Sequence, residues 1–274
     1  MNRALVKARR GERLVVVDLG GTWVRVSLSG AAPRAFKGPT PGPAGLPALL
    51  GRLWRRWGLS RGEITALGVA SRGIWTRAER RALARPLRRF APRVVVISDV
   101  EAAYLAALGA EAGVLLLAGT GSIALGRDPR GRWARAGGLG PLLGDDGSAF
   151  WIGRQWLRSG VVTPARARAI GRSPDAVARI AALAPTALRR ATRGDAPARR
   201  LVRDAQGALA DLVTSAARRL RLRPPITISW AGGLLVDRSF RSGVWRQLRR
   251  KGLRINPVPP RSTAAATSAW LSRR

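Results

Sequence analysis

Two stretches of this chain follow one plan, and that repetition constrains its fold more than any other feature. Leu14 to Asp18 reads as a strand, Gly20-Gly21-Thr22 as a glycine turn and Trp23 to Leu28 as a second strand of alternating character. Farther along, Val114 to Ala118, Gly119-Thr120-Gly121-Ser122 and Ile123 to Gly126 repeat it. Between the copies come a Pro/Gly-rich loop over Gly38 to Gly45, a helix ending near Trp57 and a buried strand over Ile64 to Ala70. A helix over Ala78 to Phe90, a second buried strand over Val94 to Ser98 and a helix from Asp99 through Leu108 follow. Strands alternating with helices imply an α/β chain with parallel pairing. After the second copy, a glycine-rich segment over Gly137 to Gly147 leads into a helix carrying Phe150, Trp151, Ile152 and Trp156. Pro164 to Leu222 reads as helical, with Asp195 ahead of an amphipathic stretch whose Leu201, Ala205, Leu209, Leu212 and Ala216 share a face. A strand over Ile226 to Trp230, a Gly232-Gly233 turn, a helix from about Phe240, a short strand near Ile255 and a helix over Thr263 to Leu271 complete the pattern.

Glycine turns between strands are a physical recipe for gripping phosphate. Without side chains, the glycines let backbone N–H groups point at phosphate oxygens, and the Thr and Ser hydroxyls add donors. Asp18 stands just before the first turn, where a carboxylate can hold Mg²⁺ through its hydration shell. One such turn alone is equally well a plain tight hairpin.

Composition narrows the chemistry. The chain has no Cys and no His, which excludes disulfides, thiolate metal sites, Cys-ligated iron–sulfur clusters, imidazole bases and Ser-His-Asp triads. Acid–base chemistry must therefore run through the 15 Asp and Glu. Asp99 ends a strand and opens a helix, so its carboxylate can cap that helix or act as a base, and both readings stay open. Asp145 and Asp146 likewise stand as a helix-start pair or as functional carboxylates. Trp151 and Trp156 read as core. The net charge of +35 comes almost wholly from 47 arginines spread along the chain, many at helical spacing with Leu and Ala. We read them as an Arg-biased solvated surface in preference to a dedicated nucleic-acid face, which the charge alone leaves open. No apolar run reaches membrane-spanning length, and the basic start, Met1 to Arg10, lacks a signal-peptide core, so a cytoplasmic location is expected.

In order and spacing, the motifs resemble those of the BadF/BadG/BcrA/BcrD ATPase family, a branch of the actin, hexokinase and heat-shock chaperone ATPase fold that contains N-acetylglucosamine kinases. Val17 to Thr22 is similar to the family's first phosphate segment, Ser98-Asp99 to its connecting segment and Leu117 to Ser122 to its second phosphate segment. Gly144 to Gly153 is similar to the sugar-site signature, the most specific of the set, and Ala231-Gly232-Gly233 to the adenosine segment. The resemblance implies two RNase H-like domains with mixed sheets, flanked by helices and closing on a cleft. It places an N-terminal lobe over residues 1–98, joined by the helix at 262–274, and an ATP-binding lobe over 99–261 with a helical insertion at about 163–222. It implies an ATP-dependent kinase acting on a hexose or amino sugar with Mg²⁺, and it leaves room for a homodimer. By the same carry-over, Asp99 takes the acceptor's proton and Asp18 serves the metal. Gly20, Gly21, Thr22, Gly119, Thr120, Gly121 and Ser122 bind ATP phosphates, and Gly232 and Gly233 approach the adenosine. Gly138, Asp145 and Asp146 line the sugar pocket beside Asp99.

Two loops depart from the family pattern. Ser71-Arg72-Gly73-Ile74-Trp75 lacks the sugar-contacting carboxylate, and Gly38-Pro39-Thr40-Pro41-Gly42 lacks the Asn of the N-acetylglucosamine kinases. The acceptor is therefore open, and an ATPase acting on another acceptor, a nucleotide-gated regulator and a polyanion-binding protein are the competing readings. An activator ATPase bridged by a Cys-ligated cluster is excluded by the absence of Cys.

Overall fold

The computed structural model describes residues 12–30 and 32–261. Strand β1 (Leu14–Leu19), β2 (Trp23–Leu28) and β3 (Arg34–Pro39) lead into α1 (Gly42–Trp57), β4 (Ala66–Ser71), α2 (Arg77–Leu87), β5 (Arg93–Ser98) and α3 (Asp99–Leu108). The plan then recurs with β6 (Gly113–Ala118), β7 (Ser122–Arg127) and β8 (Trp133–Gly137). Helices α4 (Gly140–Leu143), α5 (Ala149–Arg158), α6 (Pro164–Gly171), α7 (Ala176–Ala181), α8 (Ala184–Thr192) and α9 (Ala196–Arg219) follow, before β9 (Ile226–Ala231), α10 (Gly233–Val236), α11 (Arg238–Arg250) and β10 (Ile255–Pro257). The expected helix over Thr263 to Leu271 lies outside the described residues.

The chain forms two units. The first runs through Gly109 and takes in Arg261, and the second is Ala110–Pro260. The division falls after α3, later than the expected boundary at residue 98, because α3 packs on β4 and β5 of the first sheet. Each unit holds a five-stranded mixed sheet, in the orders β3-β2-β1-β4-β5 and β10-β9-β6-β7-β8. Read from the other end, the second order is the first over again, with β6 in the place of β1. In each, the hairpin is antiparallel and the strands added beyond the first are parallel. The repeated motif is thus the start of a repeated α/β unit.

In the first unit, Val15, Val17 and Leu19 of β1 share a core with Leu46, Leu50, Leu53 and Trp54 of α1 and Leu83 and Leu87 of α2. Side chains alternate along a strand, so Asp18 falls on the face turned away from that core. Helix α1 starts inside the expected Gly38 to Gly45 loop and ends where Gly58 takes a left-handed φ of 60°, its N–H bonding the Arg55 carbonyl. Strands β3 and β8 carry no sequence signal, since β3 is an edge strand exposed on both faces over most of its length and β8 is half-buried almost throughout. In the second unit, Leu209, Val213 and Ala216 of α9 pack with Val114 and Leu116 of β6, Ile228 of β9 and Val244 and Leu248 of α11. Trp156 is buried there and Trp151 packs partly buried against it, as read from sequence.

Two glycines on helices of the second unit should respond oppositely. A Cβ on Gly153 of α5 would stand 1.8 Å from the Ile180 carbonyl oxygen, a backbone atom that cannot step aside, whereas one on Gly207 of α9 would meet nothing within 4 Å. Gly153→Ala should cost about 1–3 kcal/mol. Gly207→Ala should gain about 0.5–1 kcal/mol from helix propensity. Urea melts of the two variants check this.

Candidate active site

The parallel strands of the first sheet end in register. Leu19 pairs with Ser71, and Ser71 with Ser98, so the three chain segments that leave β1, β4 and β5 emerge side by side at one edge. These are the Gly20-Gly21-Thr22 turn, the loop that begins at Arg72, and Asp99. Arg72 stands between the other two. Its N–H bonds the Leu19 carbonyl at 3.1 Å, which ties the loop to the turn.

Within the turn, the Gly20 N–H bonds the Trp23 carbonyl at 3.0 Å and the Thr22 carbonyl accepts from the Thr40 N–H at 3.0 Å. Gly21 and Thr22 are exposed, and their N–H groups make no bond among the described residues. Both remain available as donors. Asp18 is half-exposed and accepts from Arg25 at 2.9 Å across the hairpin through Oδ2, leaving Oδ1 uncommitted.

Asp99 is not the cap of α3. Ser98 is, with its Oγ accepting from the Glu101 N–H at 3.1 Å while Glu101 Oε2 accepts from the Ser98 N–H at 2.9 Å. Glu101 is buried and paired with Arg80 at 2.9 Å, so it is spent on structure. The sequence left capping open for Asp99, and the capping box closes that role. The Asp99 carboxylate accepts only a local bond from the Val100 N–H at 2.9 Å. Burial raises its pKa above the usual carboxylate value, and the nearby Asp18 charge adds to this, while the Val100 N–H and the Arg72 charge pull it back.

In the second unit, the Gly119-Thr120-Gly121-Ser122 turn sits directly on the start of α5. The Gly119 and Thr120 carbonyls accept from the Ala149 and Phe150 N–H groups at 2.8 and 3.2 Å, and Ser148 Oγ caps the Trp151 N–H at 3.1 Å. Helix α5 therefore spends its first donors on the turn and on Ser148, and neither Asp145 nor Asp146 caps it. The Thr120 and Gly121 N–H groups make no bond among the described residues. They are the free donors here, matching Gly21 and Thr22.

Asp145 lies beneath this turn. It is buried, with a left-handed φ of 60°, and its Oδ1 accepts from the Ser122 N–H at 3.1 Å. Ser122 Oγ donates to the Asp146 carbonyl at 2.7 Å, while the Asp146 side chain is exposed. A Cβ on Gly121 would meet the Asp145 carboxyl group at 2.8–2.9 Å, so the absence of a side chain there makes room for Asp145. Gly138, at φ 69°, packs on Ile123, and its N–H bonds the Ser122 carbonyl at 3.0 Å. Gly232, at φ 97°, is pressed on the base of the hairpin, where a Cβ would stand 2.3 Å from the Ala118 carbonyl oxygen. No residue with a side chain can bring the end of β9 so close to the turn.

A model of the BadF/BadG/BcrA/BcrD ATPase family matches residues 15–266. The chain belongs to that family. Over 105 residues it is 31% identical to the N-acetylmuramic acid/N-acetylglucosamine kinase of Clostridium acetobutylicum, a match covering 37% of this chain and 34% of that protein. Over 134 residues it is 32% identical to the N-acetyl-D-glucosamine kinase of Dictyostelium discoideum, covering 40% of this chain and 42% of that protein. Each match spans less than half of the relative's length. A solved structure from Chromobacterium violaceum, described as a candidate N-acetylglucosamine kinase, superposes with a TM-score of 0.66 at 24% identity, covering 96% of this chain and 99% of that one. That likeness is one of fold.

Within this member of the BadF/BadG/BcrA/BcrD ATPase family, the first unit collects Asp18, Gly20, Gly21, Thr22 and Asp99. The second collects Gly119 to Ser122, Gly138, Asp145, Gly232 and Gly233. Sequence reasoning missed Arg72, the middle of the three segments that leave the first sheet. Its only signal was a basic residue in a loop short of a carboxylate. The cost of a side chain at Gly121 falls on Asp145.

Gly121→Ala should therefore act through Asp145. The methyl group displaces the carboxylate, frees the Ser122 N–H and unsettles the turn, at a cost of about 1–3 kcal/mol for a buried donor left without a partner. Asp145→Asn keeps an acceptor oxygen in place and should cost less. Thermal melts with and without Mg-ATP check the order, with Gly121→Ala losing most of the nucleotide-dependent rise and Asp145→Asn keeping it.

Proposed function

We propose that this chain is an ATP-dependent kinase that transfers the γ-phosphoryl group of ATP to a hydroxyl of a hexose or amino sugar. The observation that carries the reading is Asp99, a half-buried carboxylate relieved of helix capping and held at the same sheet edge as a glycine turn with two free N–H donors. The kinase names of the curated relatives support it, as does the family's ATPase description.

In this reading, Asp99 orients the acceptor hydroxyl and takes its proton as the oxygen attacks phosphorus. Its raised pKa suits it to the work, because a more basic carboxylate is a better proton acceptor near neutral pH. The N–H groups of Gly21 and Thr22, and those of Thr120 and Gly121, bind phosphate oxygens as preorganised donors. Gly232 and Gly233 let the backbone approach the adenosine, and Gly138 and Asp146 contribute to the acceptor pocket. Asp145 serves that pocket from beneath the second turn.

The residues fit Mg²⁺ as the accompanying ion. Among the described residues, no group of three or more carboxylates or other ligands could cage a metal, which suits an ion that keeps its waters and leans on one or two carboxylates and the phosphates. Asp18, with Oδ1 uncommitted, is the residue that would hold it, and the ion would supply positive charge against the phosphates. Among the described residues, no helix is long and apolar enough to cross a membrane.

Asp99→Asn should leave binding of a non-hydrolysable ATP analogue intact while acceptor phosphorylation falls about a hundredfold to ten-thousandfold, the usual contribution of a positioned base. Ser98 retains the cap, so the melting temperature should hardly move. Because the base form is required and the pKa is raised, wild-type kcat/KM should fall as pH drops through a limb lying above the ordinary aspartate range. A pH–rate profile reads this, and a rate independent of pH down to about 4, near the unperturbed value, contradicts it.

ADP release with glucose, N-acetylglucosamine, glucosamine, mannose, a lactyl-ether sugar acid and no acceptor tests the function itself. The loops over Gly38 to Gly42 and Ser71 to Trp75 offer neither the Asn nor the carboxylate, so preference for N-acetylglucosamine over glucose should stay below about a hundredfold. No acceleration by any sugar overturns the kinase reading.

A further inference from the structure

Arg72 sits at the edge of the first sheet where three chain segments emerge. Its side chain is exposed and makes no ion pair or hydrogen bond among the described residues. Several arginines of this unit do pair with carboxylates, Arg25 with Asp18, Arg80 with Glu101 and Arg13 with Glu63. Arg72 instead folds back over the glycine turn. Its Nη1 lies 2.6 Å, and its Cδ and Cζ 3.7 Å, from the point a Cβ on Gly21 would occupy. Gly21 thus does two things, since it exposes a free N–H and leaves room for a guanidinium beside it. On its other side, Arg72 acts electrostatically on the Asp99 carboxylate without closing an ion pair with it.

The strand register explains why the arginine lies there. β4 is the strand between β1 and β5, and Ser71 is in register with Leu19 on one side and Ser98 on the other. The residue after Ser71 must then emerge between the phosphate-gripping turn and the proposed base. The backbone bond from Arg72 to Leu19 holds its Cα there whatever the side chain does. A full positive charge, donor-rich and unspent, therefore stands between the group that holds phosphate and the group that takes the proton.

We propose that Arg72 is a catalytic residue of the phosphoryl transfer, its guanidinium contacting the equatorial oxygens of the γ-phosphoryl group as that group passes from ADP to the acceptor. The proposal rests on the kinase reading above. In the step, the acceptor oxygen forms a bond to the γ-phosphorus and the bond to the β–γ bridging oxygen breaks. Its electron pair leaves with ADP, and the hydroxyl proton passes to Asp99. Negative charge on the transferring group is spread over three equatorial oxygens, and a guanidinium presents several donors in one plane to meet them. Arginine also keeps its own proton beside Asp99, so the proton that Asp99 takes is that of the acceptor hydroxyl.

The competing role for the same charge is to hold an acceptor that itself carries a carboxylate. The two roles separate kinetically, because a group acting on the phosphoryl serves every acceptor, and one acting on the acceptor's own charge serves only acidic ones.

The test uses the full chain and its best neutral sugar, with Arg72→Ala and Arg72→Lys beside wild type. Arg72→Ala should lose about a hundredfold to a thousandfold in kcat, the scale of removing one preorganised charge-stabilising donor. KM for the neutral sugar and affinity for a non-hydrolysable ATP analogue should change by less than about threefold. Arg72→Lys should fall between, keeping the charge without the planar fork. Guanidinium ion at tens of millimolar should raise the Arg72→Ala rate several-fold and leave Asp99→Asn unchanged, a rescue that a merely structural residue would not show. Near-normal kcat for Arg72→Ala on neutral sugars overturns the proposal, and so does a loss confined to KM for an acidic sugar. If wild type phosphorylates no sugar, the kinase reading fails, and the same comparison on ATP hydrolysis with water as acceptor decides Arg72 on its own. Absence of both activities overturns both.

Discussion

The backbone register of three parallel strands underlies everything proposed for the first unit. Parallel pairing of β1 with β4 and of β4 with β5 brings Leu19, Ser71 and Ser98 into line, although they lie far apart in sequence. A slip by one residue would send Val15, Val17 and Leu19 out of the core and Asp18 into it. The apolar faces packed under α1 and α2 forbid that slip. The same burial that stabilises the sheet therefore sets which residues emerge from its edge.

The second unit uses the register differently. Its glycine turn is braced from below by Asp145 and from the side by the first N–H groups of α5, so the turn's carbonyls are spent and its outward N–H groups are not. In the first unit an arginine lies beside the turn, at the place a Cβ on Gly21 would occupy. Two copies of one topology thus carry opposite charges against their glycine turns. The buried acid braces the second turn, and the exposed arginine places a positive charge beside the first. A Cβ would strike the buried Asp145 carboxyl group in one, whereas in the other it would meet the end of the exposed Arg72 side chain, which can move aside.

The arginine excess acquires a local meaning only here. Most of the 47 arginines decorate helices and loops, and their number says little about mechanism. Arg72 is set apart by the strand end it follows, which puts it between the Gly21 turn and Asp99. A lysine would carry equal charge without the planar donor set that a phosphoryl group can engage.

What the sequence determined by itself was the repeated strand, turn and strand, the alternation of strands with helices, and the family motifs around Asp18, Asp99, Gly119 to Ser122, Asp145 and Gly232. These are legible because glycine turns, apolar runs and caps act over a few neighbouring residues. Strands β3 and β8 were not legible, because they pair at or toward the sheet margins and bury too little to pattern their residues. The Ser98-Glu101 capping box of α3 is equally local, whereas tertiary structure alone decided that Asp145 turns under the second hairpin and that Arg72 stands between Gly21 and Asp99. Each depends on which distant segments the sheets bring into register. Nothing in the neighbouring residues encodes that, because a strand's own pattern tells which face is buried but not which strand lies beside it.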